Sequence, residues 1–145
     1  MLINDSIAGV SFTYTARLTA GDDDGFGLIF GYQDENNFYR VTFARQLRSG
    51  GYPWHAWTVD RKVDGVTTNL FGYGKAGYVQ TFVNRAGIPF DVTISVNAAN
   101  QLTLSVLDNP TGTSTNYPLV TSQLLPTSAG GKVGIFTWGM SGGTP

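Results

Sequence analysis

The stretch DDDGFGLIFGYQDENNFYRV, Asp22 to Val41, decides the fold. It sets three carboxylates, a turn glycine, an apolar strand, a polar turn and a second amphipathic strand in direct succession. Period-two alternation predicts a strand over Phe26 to Gln33, with Phe26, Leu28, Phe30 and Tyr32 on one face. Gly27, Ile29 and Gly31 leave the other face nearly bare, so something bulky can lie close to the backbone. Asp34 to Asn37 carries turn chemistry. A following strand over Phe38 to Gln46 then presents Tyr39, Val41 and Phe43 on one side and Phe38, Arg40 and Thr42 on the other. Asp22, Asp23 and Asp24 repel one another unless water or a cation neutralises them, and hard carboxylate oxygens suit calcium. A solvated acidic turn with no ion is the competing reading. An EF-hand is excluded, because no Glu stands at the twelfth position of the loop.

Outward from this block the pattern stays β. Val10 to Leu18 alternates Val, Phe, Tyr, Ala and Leu with Ser, Thr, Thr and Arg. Trp54 to Val63 alternates again, and Asp64-Gly65 is a strong turn signal before a short strand over Val66 to Phe71. Tyr73 to Arg85 reads as irregular, with a short strand at Tyr78 to Phe82. The clearest hairpin joins Phe90 to Val96 and Leu102 to Val106 through the turn residues Asn97 to Gln101. Asn109 to Pro118 reads as a Pro/Thr/Ser/Gly-rich loop, and Lys132 to Trp138 as a last strand. No boundary divides residues 1–145, so one antiparallel sandwich is expected.

Composition narrows the function classes. The chain has 145 residues, enough for one domain with a full core. Nine Lys and Arg against ten Asp and Glu leave it near neutral, and no basic cluster suggests nucleic acid. No apolar run is long enough for a membrane-spanning helix, and the opening MLINDS lacks the features of a signal peptide. Cysteine is absent, which rules out disulfides and thiolate metal sites.

The block from Asp22 to Arg40 resembles the thrombospondin C-terminal type of lectin-like domain and bacterial laminin-G-like modules, within the concanavalin A-like superfamily. The matching features are the acidic loop Asp22 to Asp24, the Gly-Phe-rich strand Gly25 to Phe30, Tyr32-Gln33, the turn Asp34 to Asn37 and Tyr39-Arg40. Less specific pieces follow at Trp57, at Phe90 to Asp108 and at GKVGIFTWG, Gly131 to Gly139. The resemblance implies an all-β, antiparallel jelly-roll sandwich with calcium on edge loops. It also implies glycan or protein binding without catalysis, in a secreted or cell-surface protein. Against the family pattern, the chain starts almost directly at its second expected strand and stops at Gly142-Gly143-Thr144-Pro145. Missing first and last strands would leave an open edge that invites strand exchange or a homo-oligomer.

Tyr52, Trp54, His55 and Trp57 form the densest aromatic cluster. Trp54 and Trp57 point to opposite faces of a regular strand, so Trp57 is expected in the core and Trp54 exposed. Trp54, Tyr52, His55 and Arg40 are the candidate glycan contacts, and both tryptophans in the core is the competing reading. Arg40, Thr42, Asp60 and Arg61 are further expected to line one polar sheet face, for which a plain solvated surface is the alternative. Catalysis is not expected. The superfamily's glucanases use two Glu on one strand, and this chain has a single Glu, Glu35, in a turn. A single His and no G-x-S-x-G segment argue against zinc and serine chemistry. A calcium-stabilised carbohydrate-binding module is the first expectation, and an adhesive subunit assembling through open sheet edges is the second.

Overall fold

The computed structural model describes residues 1–5, 11–19, 21, 25–44, 56–76, 78, 87–99, 101–108, 113–119 and 131–138. These residues form ten strands and no helix: β1 (Leu2–Asn4), β2 (Phe12–Leu18), β3 (Gly25–Asp34), β4 (Asn37–Ala44), β5 (Ala56–Val63), β6 (Val66–Gly72), β7 (Phe90–Val96), β8 (Leu102–Asp108), β9 (Thr113–Leu119) and β10 (Lys132–Trp138). Two antiparallel sheets result, a six-stranded one ordered β1-β10-β3-β4-β5-β6 and a four-stranded one ordered β2-β7-β8-β9. This is the expected all-β sandwich of lectin-like, jelly-roll type.

Alternation places the core between the sheets. Phe26, Leu28, Phe30, Tyr39, Val41, Phe43, Trp57 and Val59 of the larger sheet meet Phe90, Val92, Ile94, Val96, Leu102, Leu104 and Val106 of the smaller one. The Phe90 ring joins the layers, 5.3 Å edge-on from Phe43 and 5.8 Å from Phe26. Trp57 is buried, as its alternation predicts. The β7–β8 turn closes as its residues imply, with the Asn97 side-chain oxygen accepting the backbone N–H groups of Ala99 and Gln101.

Several expectations are corrected. The segment read as a loop from Asn109 to Pro118 contains all but the last residue of β9, which is paired along its whole length with β8. Its sequence TSTNYPL has no apolar alternation, so pairing with β8 specifies it, and Pro118 is tolerated because β9 is an edge strand. The chain does not begin at its second expected strand. Leu2–Asn4 forms β1 and pairs with β10, and Gly134 lets them meet, since a Cβ there would lie 2.3 Å from the Leu2 carbonyl oxygen. A strand after β10, residues 45–46 of the expected third strand and residues 79–82 of the short strand expected after Tyr78 lie outside the described residues.

A third correction concerns β3. Gly31 adopts a φ of 57°, and the register slips between Phe30 and Asp34. This bulge reverses the alternation, so Tyr32 leaves the core face and lies beside Phe38 on the outside, ring centroids 6.2 Å apart and planes tilted by 30°. Beyond it, the β3–β4 and β5–β6 turns lock together. Gly65 N–H donates to the Asn36 carbonyl at 3.1 Å, and Asp64 N–H donates to Asn37 Oδ1 at 3.1 Å.

Candidate functional site

The outer face of the six-stranded sheet, away from the core, gathers the polar side chains. Register sets Arg40 opposite Asp60 and Thr42 opposite Thr58 between β4 and β5. On β3, Ile29 lies opposite Arg40 and Gly27 opposite Thr42. Asn69 of β6 stands opposite Asp60, and Phe136 of β10 opposite Gly27. Gly27 is required there because a Cβ would fall 1.9 Å from the Val41 carbonyl oxygen and 3.2 Å from the Phe136 ring. The bare strip read from the sequence is therefore real, and Phe136 and Arg40 occupy the room it leaves.

At the centre, Arg40 Nε donates to Asp60 Oδ2 at 3.0 Å. The Thr58 hydroxyl leans toward the same oxygen at 3.4 Å. The Arg40 guanidinium carbon stands 5.7 Å from the Phe136 ring centroid, a cation–π arrangement that fixes the plane of the group. The Asp60 side chain is only 8% exposed and that of Arg40 32%, so the pair lies in a partly desolvated setting. On this face two further polar atoms, Thr42 Oγ1 and Asn69 Oδ1, are covered by protein and have no hydrogen-bond partner among the described residues. Among those residues, too, the Arg40 terminal nitrogens and Asp60 Oδ1 form no hydrogen bond. The Arg40 terminal nitrogens and Asp60 Oδ1 thus sit side by side on the sheet with hydrogen-bonding capacity to spare.

The expected polar row survives in part. Arg40, Thr42 and Asp60 share the outer face, but Arg61 does not, because it follows Asp60 directly and pairs with the core residue Tyr39. Thr58 and Asn69 went unnoticed, and alternation from Asp60 was the signal that could have found Thr58. Phe136 could not be found this way, because only the β10–β3 register brings it beneath Arg40. Tyr52, Trp54 and His55 lie outside the described residues, as do Asp22, Asp23 and Asp24. Among the described residues no three His, Cys, Asp or Glu side chains gather into a metal-binding group.

No protein-family model and no curated protein matches this chain. Among solved structures it is similar to CG-16, a homodimeric agglutinin from chicken liver. The TM-score is 0.57 and the identity 14%, over 95% of this chain and 96% of that one. At this identity the likeness concerns the fold, and it gives the chain a lectin-like β-sandwich.

Proposed function

We propose that the chain is a non-catalytic carbohydrate-binding module whose ligand lies on the outer face of the six-stranded sheet. The Arg40–Asp60 pair carries this reading, a charged pair in a partly desolvated setting whose Arg40 side chain still keeps 32% of its surface open. A partly desolvated charge pair is costly to folding alone, and a ligand's hydroxyl groups at the open side of Arg40 offset that cost. The lectin-like fold shared with the chicken agglutinin agrees with a binding role. In the sequence, Tyr52, Trp54 and His55 lead directly into β5, the strand that carries Thr58 and Asp60, and would extend the contact beyond Arg40. Calcium held by Asp22, Asp23 and Asp24 would brace the loop before β3, and such a module belongs to a secreted or cell-surface protein.

A glycan-array screen followed by amide chemical-shift mapping tests the site. Shifts centred on Arg40, Thr42, Asp60 and Asn69 are expected. Shifts confined to the four-stranded sheet would sink this location.

A second reading has its own observation. Leu2 is 69% and Ile135 39% exposed, and the two face each other across β1 and β10 at the margin of the larger sheet. An apolar margin beside an edge strand suits a subunit that assembles through its sheet edges. Light scattering separates the two, since a monomer at high concentration removes the assembling subunit.

A further inference from the structure

One row nearer the hairpin tips than Arg40, the same outer face carries a second, different pattern. Register sets Lys132 opposite Tyr32 and Phe38 opposite Lys62. The Tyr32 and Phe38 rings lie 6.2 Å apart with 30° between their planes. Across β10, β3, β4 and β5 the row therefore reads cation, ring, ring, cation. All four side chains are half-buried, so each keeps a surface open to solvent.

The two rings are together only because of the Gly31 bulge. Regular alternation would send Tyr32 inward beside Phe30, and the positive φ of Gly31 turns it out. Bulges recur where a side chain must be re-aimed toward a site. The bulge is also packed in place, for a Cβ on Gly131 would lie 2.3 Å from the Gly31 backbone.

The cations are available. Lys62 Nζ stands 5.5 Å from the Phe38 ring centroid and donates to the Glu35 carbonyl at 2.8 Å, with no carboxylate partner among the described residues. Asp34, the nearby acid of the hairpin, is engaged by the Asn36 N–H and the Asn37 side-chain amide. Lys132 pairs with Asp5 at 2.6 Å, but Asp5 is 80% exposed, and surface pairs of this kind exchange readily. Arg40 adds a third cation about 7 Å along β4 from Phe38, and the one carboxylate beside it, Asp60, is already tied to it. Of these three cations Lys62 alone has no carboxylate at ion-pair distance among the described residues, although the ionised Asp34 lies near enough to feel its charge.

We infer that the Lys132–Tyr32–Phe38–Lys62 row is a subsite for an anionic sugar residue, bearing carboxylate or sulfate. The apolar face of the sugar ring lies on Tyr32 and Phe38, and its anionic group meets Lys62 or Lys132. This rests on the reading that the outer face binds carbohydrate, and it specifies an acidic glycan over a neutral one.

Calorimetric titration of the whole chain at low and physiological salt tests it, with an oligogalacturonate, a heparin-derived oligosaccharide and a neutral malto-oligosaccharide of matching length. At low salt an acidic ligand is expected to bind roughly tenfold tighter than the neutral one. That advantage shrinks as ionic strength rises. Whichever acidic ligand wins identifies the anionic group as carboxylate or sulfate. Lys62→Gln and Lys132→Gln should each reduce acidic binding about three- to fivefold, and together erase the acidic preference. Two variants on different strands, each checked by its melting midpoint, keep the result readable if one folds poorly. Neutral and acidic ligands of equal affinity, or lysine variants that keep the preference, overturn the subsite and leave the carbohydrate reading intact. A chain that binds none of the three and is silent on a glycan array sinks both.

Discussion

At the scale of single residues, Thr42 is a control position on the candidate face. Its hydroxyl is buried and has no hydrogen-bond partner among the described residues, so it contributes nothing to the fold that a methyl group would not. Thr42→Val is expected to leave stability unchanged or raise it by up to about 1 kcal/mol, and to leave glycan binding unchanged, since the covered hydroxyl cannot reach a ligand. Denaturant unfolding and calorimetry measure the two effects, and a destabilised variant would mean the hydroxyl has a partner. Asp34 gives a pH signature. The Asn36 N–H, then the Asn37 side chain, hold its carboxyl below the usual carboxylate range. Because the folded form binds protons less readily than the unfolded chain, its contribution is present above the ordinary carboxylate pKa. It is lost as pH falls through the lower, folded value. Melting midpoints between about pH 6 and pH 3 should therefore fall more steeply for the wild-type chain than for Asp34→Asn.

At the scale of elements, the bulge in β3 is the feature to break. Gly31→Ala forces a side chain into a φ of 57° and is expected to cost about 1–2 kcal/mol. Relaxation of the bulge would also carry Tyr32 off the outer face. Urea unfolding gives the first effect, and loss of ring-current shifts between Tyr32 and Phe38 gives the second. An unshifted Tyr32 would show that the strand reverses its alternation for another reason. The elements legible in the sequence were those with apolar alternation, such as β2, β7 and β8, or with turn chemistry, such as Asp64-Gly65 and Asn97 to Gln101. β9 was illegible because TSTNYPL has no apolar face to read, and β1 because three residues are too few to show a period. Tyr32 was assigned to the wrong face because a bulge costs the sequence only a glycine, and glycine has other uses.

At the scale of the whole molecule, calcium is the first variable to change. If Asp22, Asp23 and Asp24 hold the ion, roughly a hundredfold excess over its dissociation constant should raise the melting midpoint by about 5–10 °C, and a chelator should abolish the rise. Equal midpoints with and without calcium leave the three carboxylates as an ordinary solvated turn. By itself the sequence determined the fold class, the inward face of most strands, and the shared outer face of Arg40 and Thr42 on β4, while it could not tell Asp60 from Arg61 as their neighbour. These follow from local rules, because alternation and turn chemistry act between residues close together in the chain. Only the tertiary structure decided that β1 pairs with β10, that Phe136 lies beneath Arg40, that Asn69 joins Asp60, and that Lys132 and Lys62 bracket two rings. Each of these depends on which strand lies next to which and in what register. Such pairings join residues tens of positions apart, whose energy comes from burial shared across the sheet and leaves no mark on either segment alone.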